Sequence, residues 1–301
     1  VSIANWVKTQ EVDLLPKDCR LWFVQNQAPG MKRYTSSGKS KGKGYDLDMR
    51  LVSYINSSLS DGVDVTGAKK LSVNVGFCYT GQYPRYNDGF VLSLDDGAKM
   101  RAASSKNGEV IHLFAGGKEL LENGVVKRYV IDFQDRSIVQ AQSYGAPFTH
   151  LKSSALPYVE SLAKKEFEET KKETGQNQDW LNTWWQHFRS RPQLVGKIVK
   201  MDRYLVCSRV TTRPIFMFLS SRVRPSDALS CFVLEDDYSF GVLQSKTHYM
   251  WFHAKCSNMK ADPRYTSDSV FSTFPWPQMP SDTDVKSVVK AARDLQSVRQ
   301  G

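Results

Sequence analysis

The stretch Lys127-Arg128-Tyr129-Val130-Ile131-Asp132-Phe133 decides how this chain is to be read. It follows Asn123-Gly124, a strong turn pair, and gathers β-branched and aromatic residues, so residues 126–133 are predicted to form a strand. Working outward, residues 71–79, 89–94 and 109–114 share this composition, with Asp88-Gly89 as a further turn signal. Downstream the pattern changes. Residues 155–173 carry Leu156, Val159, Leu162, Ala163 and Phe167 at helical spacing. Asp179 is placed to cap a second helix in which Trp180, Trp184 and Phe188 recur every four residues. Strands are expected again at 203–210, 214–219, 229–234 and 239–243, and a last helix at 283–299. The fold class is therefore α+β, a strand-rich mixed α/β arrangement with flanking helices. A boundary is expected near residue 152, with a strand-rich region over 1–152 and a helix-plus-strand region over 153–301. No internal repeat is evident.

The 301 residues are 41% hydrophobic and 12% aromatic, enough to build a core. The longest apolar runs, such as Ile215 to Leu219, are far short of a membrane span. No signal peptide is visible, and the five cysteines are odd in number and contain no CxxC pair. Cys207 and Cys231 sit in apolar company, as small core residues do, and a reducing cytoplasm is the expected location. The sequence opens at Val1 on what reads as a strand already under way, and it is expected to be a fragment of a longer protein.

The formal net charge is +10, which favours a polyanionic partner. That charge is concentrated. Between Arg20 and Gly44 there are six basic residues and no acid, including Lys39, Lys41 and Lys43 in a Gly/Ser/Lys loop. Between Trp185 and Pro225 nine basic residues face the single acid Asp202.

A search for chemistry ends without a catalytic centre. Asp262-Pro263-Arg264-Tyr265 lacks the second proline of an amino-methyltransferase loop. Glu169-Thr170-Lys171 has the letters of a nuclease motif but lies in the expected helix, on a charged face. Asp236-Asp237 could hold a divalent ion, and a tight turn between strands explains it as well. The histidines lack metal-ligand spacing, and Gly116-Gly117 is a turn.

The remaining polar groups suit DNA. Arg and Lys pair with guanine, Asn and Gln with adenine, and hydroxyls hold phosphates. Tyr79 to Gly89 is expected to be an exposed loop offering Thr80, Gln82, Arg85 and Asn87. Thr211, Thr212 and Arg213 are expected between two strands in the most basic part of the chain. Arg85 and Arg213 are the candidates for base contacts, and Arg209, Lys246, Lys39, Lys41 and Lys43 for phosphate contacts. A tyrosine-rich turn packed on a sheet is the competing reading for the first loop. Trp180, Trp184 and Trp185 are expected in the core.

Several segments in order resemble the C-terminal half of MmeI-like restriction-modification enzymes. They are Ile3-Ala4-Asn5-Trp6-Val7, Gly81 to Leu92, Arg128 to Phe133, Trp184 to Arg189, Arg203 to Val206, Phe240 to Ser245, Pro263 to Thr266 and Thr273 to Pro277. The resemblance implies a target-recognition domain that binds double-stranded DNA beside an upstream methyltransferase domain of the same chain. It implies S-adenosylmethionine as cofactor of the parent adenine methyltransferase, with none in this fragment, and carries over no catalytic residue. Two alternatives stay open: a metal-dependent DNA nuclease, and a separate specificity subunit that docks a methyltransferase.

Overall fold

The computed structural model describes residues 19–28, 33–35, 38–40, 44–52, 65, 67–121, 125–259 and 262–300. They fall into two units that divide between Lys69 and Lys70. In the first, β1 (Cys19–Ala28), β2 (Arg33–Thr35), β3 (Gly38–Ser40) and β4 (Gly44–Val52) form two antiparallel pairs, β1 with β4 and β2 with β3.

The second unit is built on two four-stranded sheets, and the fold is α+β. Its elements begin with β5 (Cys78–Thr80), α1 (Asn87–Phe90), β6 (Val91–Ser93), α2 (Leu94–Ala102), β7 (Ile111–Ala115), α3 (Gly117–Leu121) and β8 (Arg128–Ile131). Helices α4 (Ile138–Gln142), α5 (Ala146–Thr170), α6 (Gln176–Leu181) and α7 (Pro192–Ile198) come next. Then follow β9 (Arg203–Ser208), β10 (Met217–Ser220), β11 (Val223–Pro225), β12 (Leu229–Phe232), α8 (Asp237–Gln244), α9 (Lys246–Lys255), β13 (Ser257–Met259), β14 (Asp262–Arg264) and α10 (Asp282–Gln300).

One sheet has the order β10-β9-β12-β5 and is antiparallel throughout; the other runs β11-β7-β8-β6 with β11 parallel to β7. Strands β9 and β12 are buried on both faces, and their side chains alternate as period-two geometry requires. Leu205, Cys207 and Phe232 enter one cluster with Phe240, Leu243 and Phe252 from α8 and α9. Tyr204, Val206, Leu229 and Cys231 enter another with Leu194 and Ile198 from α7. The second sheet packs under α5, whose fully buried stripe is Leu151, Ala155 and Val159.

The sheets are stitched where β5 passes β11. Gly81 donates to the Leu229 carbonyl (3.1 Å) and Gln82 to that of Pro225 (2.8 Å). A Cβ at Gly81 would stand 2.1 Å from the Ser226 carbonyl oxygen, so only glycine lets the backbones approach this closely.

Several local expectations are revised. Residues 239–243 belong to helix α8, not to a strand, because Asp236 caps it by accepting from Ser239 N (2.7 Å) and buries Phe240 and Leu243 together. Asp236-Asp237 is thus a helix start rather than a turn between strands. In 71–79 only Cys78 and Tyr79 are in a strand; Ser72–Asn74 make a 3-10 turn. In 89–94 the strand is cut to Val91–Ser93, since Ser93 caps α2 by accepting from Asp96 N. Asp179 lies inside α6, which ends at Leu181, so Trp184 and Phe188 continue no helix. They still meet the core: Trp180 packs edge-on to Phe188, and Trp180, Trp184 and Trp185 are all buried. Helix α5 starts earlier than residue 155, with Pro147 in its first turn, and leaves Phe167 exposed. Residue 152 lies within α5, and the cluster beneath it takes residues from both sides of that position.

Candidate nucleic-acid interface

The β9–β10 connection is exposed yet held in place. Arg209 N donates to Ala228 O (2.8 Å), Tyr265 N to Arg209 O (2.8 Å), and Thr211 N to Pro263 O (3.1 Å), which laces the loop to β14. The Thr211 hydroxyl donates to Arg213 O (2.7 Å) and accepts from Arg213 N (3.1 Å), a side-chain turn that fixes how Arg213 leaves the loop. Thr212 and Arg213 are exposed.

At one end this loop borders a cleft of about 320 Å³ lined by Arg213, Pro214, Ser245, Lys246 and Tyr249. The Arg213 guanidinium lies 5.8 Å from the Tyr249 ring centre. Lys246 is the exposed first residue of α9, whose N-cap Ser245 accepts from His248 N (3.2 Å). The helix start adds partial positive charge to that of Lys246. Arg299 approaches from α10, donating to Phe216 O (2.9 Å); burial, then the nearby Arg213 charge, lower its pKa.

At its other end the loop meets a second group of arginines. Arg209 donates to the Asp227 carbonyl (2.7 Å). Arg191 caps α7 with a left-handed backbone, φ 56°. Burial, followed by the charges of Arg189 and Arg209, lowers its pKa. Arg189 is exposed, its guanidinium 5.1 Å from the Phe188 ring. Arg189, Arg191, Arg209, Arg213, Lys246 and Arg299 thus come together from four parts of the chain along one loop. Gathering like charges gains folding nothing, and a surface of this kind is suited to a polyanion.

The sequence-derived candidates divide. Arg209, Thr211, Thr212, Arg213 and Lys246 share this strip. Arg189, Arg191 and Arg299 were missed as individuals, although the first two lie in the basic stretch that signalled the region. The 80–88 segment is otherwise disposed. Thr80 is half-buried in β5, opposite Ser230. Gln82, expected on an exposed loop, is fully buried, donating to Asp132 Oδ2 (3.0 Å) and Ser190 O (2.8 Å). It is an interior residue. Arg85 donates to Asn177 Oδ1 (2.7 Å) and lies 4.6 Å from the Phe188 ring centre and 5.4 Å from that of Trp180. Asn87 is exposed at the start of α1. Lys39 lies in β3, while Lys41 and Lys43 lie outside the described residues.

Asp132 is the centre of a buried network. It accepts from Gln82 and from Gln134 Nε2 (2.7 Å to Oδ1), with Arg224 Nε at 3.6 Å and His187 Nδ1 at 3.9 Å. Burial opposes its ionisation, but the surrounding His187, His112, Gln82 and Arg224 outweigh that and hold it below the ordinary carboxylate range. No cluster among the described residues is arranged to hold a metal ion. Asp237 is engaged by Arg203 (2.9 Å) and Arg293 (2.8 Å), and Glu169 lies on α5.

The family model of the MmeI target recognition domain matches residues 61–278. The chain belongs to the MmeI target recognition domain family. A solved structure of the type IIL restriction-modification enzyme MmeI in complex with DNA is similar, with a TM-score of 0.64 at 20% identity. The match covers 85% of this chain and 32% of that one, and at this identity it shows the shared fold. No curated protein matches the chain.

The target recognition domain does not fit S-adenosylmethionine at its one Gly-Gly pair. The Gly116-Gly117 turn follows β7 and opens α3, but Gly116 N donates to the chain's own Glu119 (2.9 Å). The space beside Gly116 is taken by Arg128, Ser226 and Glu119 side chains. Among the described residues no helix is long and apolar enough to cross a membrane.

Proposed function

We propose that this chain reads a specific double-stranded DNA sequence as the recognition part of a type II restriction-modification enzyme that methylates adenine. The observation that carries this reading is the strip of five arginines and one lysine along the β9–β10 loop. Arg209 and Lys246 hold phosphates, with Thr211 and Thr212 as hydroxyl donors beside them. Arg213, fixed at its backbone by Thr211 and free at its guanidinium to pivot off Tyr249, reaches a base edge, where a bidentate pair with guanine discriminates by roughly 1–3 kcal/mol. Lys39, Lys41 and Lys43 add phosphate contacts without sequence preference. S-adenosylmethionine supplies the methyl group in a methyltransferase domain elsewhere in the same protein. This chain's own share is to bind, orient and hold the duplex while the target adenine is turned out of the stack.

Titration of duplex DNA at rising salt tests this. Log affinity should fall linearly with log salt, and Arg209→Ala combined with Lys246→Ala should reduce that slope by about two, one for each lost phosphate contact. An unchanged slope would remove both residues from the DNA backbone.

A further inference from the structure

Asp227 is out of keeping with its surroundings. It stands at the corner where the chain leaves β11, in one sheet, and enters β12, in the other. That corner is clamped: Ser226 N donates to Ala115 O (2.7 Å), Leu229 N to Ser226 O (3.0 Å), and Ala228 N to Ser226 Oγ (3.3 Å). Gln82 N binds Pro225 O on one side, and Arg209 N binds Ala228 O on the other. The Asp227 backbone therefore has little freedom, and its half-buried side chain is presented from a rigid support.

The neighbours of this carboxylate are Arg209 and Arg191, close enough for their charges to act on it. Yet it forms no ion pair with either among the described residues, and Arg209 binds the Asp227 carbonyl instead. Asp237, by contrast, is paired with two arginines. Burial acts first, and upward, on the Asp227 pKa; Arg209, a hydrogen bond from the residue's own backbone N–H and Arg191 only partly offset it. An acid within a phosphate-binding strip weakens the strip, so its presence needs a reason other than affinity. Duplex DNA offers a carboxylate one kind of favourable partner, an amino group on a base edge. In the major groove the cytosine N4 amino group donates to Asp or Glu with no acceptor beside it, whereas adenine sets its N6 amino group next to the N7 acceptor, which repels a carboxylate, and guanine presents only acceptors.

We infer that Asp227 reads a base: its carboxylate accepts a hydrogen bond from a cytosine amino group in the major groove, while Arg189, Arg191 and Arg209 hold the flanking backbone. This rests on the DNA-reading function above. The arginines keep the carboxylate within reach of the duplex despite its own repulsion from phosphate, and the clamped corner limits the entropy lost on contact.

Selection of bound sites from a randomised duplex pool, with the whole chain and its Asp227→Ala and Asp227→Asn variants, tests the assignment. The wild type should prefer cytosine at one position by at least about tenfold. Asp227→Ala should erase the preference there and leave the other positions alone. Asp227→Asn, nearly identical in shape, should weaken the cytosine preference and move it toward adenine. A thermal melt within a degree or two of wild type shows that the Asn variant remains folded. Unchanged preference at every position, with tighter binding of both variants to all sequences alike, would overturn the inference and make Asp227 a charge balance for the arginines. Absence of any duplex binding by the folded wild type would instead overturn the DNA-reading function, and this assignment with it.

Discussion

Two polar regions lie on either side of the junction between the sheets, and they use charge in opposite ways. Around Asp132 the charges cancel: one carboxylate faces Arg224, and Gln82 and Gln134 donate to it inside the core. Along the β9–β10 loop the charges add: six basic groups line it, and Asp227, the carboxylate beside Arg191 and Arg209, forms no ion pair with them among the described residues. The first arrangement balances its charge within the chain, although Gln82 Oε1, His187 Nδ1 and Arg224 Nε are buried there without a hydrogen-bond partner among the described residues. The second leaves like charges side by side, with no ion pair to an acid of the chain among the described residues. Charge alone does not mark a binding surface; charge left without a partner does.

The contrast can be broken most forcefully at its buried end. Asp132→Ala leaves Arg224 buried without its counter-charge and should destabilise the fold by about 3–5 kcal/mol. Urea denaturation measures this, and a loss within about 0.5 kcal/mol would show that the network is dispensable. A smaller effect is expected at Arg85, which the sequence set beside Arg213 as a base reader. Arg85→Ala removes a hydrogen bond to Asn177 and a stacked guanidinium, so a loss of about 1–2 kcal/mol is expected. Arg213→Ala, at an exposed site, should change stability by no more than about 0.5 kcal/mol. Equal losses in the two variants would erase the distinction between the regions.

Acid provides a subtler test. Burial holds His112 and His248 at about 4, below their ordinary 6.5. Their folded pKa values are depressed, so in this window the unfolded chain binds more protons than the folded one. Stability from these groups is full above about pH 6.5 and is lost as pH falls toward about 4. Denaturant midpoints measured across that range should decline with falling pH, and a flat profile would contradict the neutral state of these rings, of which His248 is buried and His112 half-buried.

Much of the sheet scaffold was legible because burial on a strand leaves a period-two or continuous apolar record. Arg128–Ile131, Arg203–Ser208 and Leu229–Phe232 were all anticipated as strands. Residues 239–243 misled because Phe240, Val242 and Leu243 carry strand-forming composition, while the deciding contact is a cap three residues long from Asp236 to Ser239. The tryptophans were anticipated as core, although their fourfold spacing spans a helix and the turns after it. For the interface, the density of Arg and Lys after Trp185 pointed to the right region. It could not show that Lys246 and Arg299 join it, since they arrive through the packing of α9 and α10. Gln82 was unreadable for the converse reason: its partner, Asp132, is fifty residues away.

Unpaired charge on the β9–β10 loop is proposed to read DNA, whereas Gln82 and Arg85 in the 80–88 segment are bound to other parts of the chain. Site selection from a randomised duplex pool, run in parallel on wild type, Arg85→Ala and Arg213→Ala, tests it most directly. Arg213→Ala should relax preference at one base pair by roughly tenfold or more, and Arg85→Ala should select the wild-type site. Selection of one identical site by all three proteins, or a changed site with Arg85→Ala alone, would contradict it.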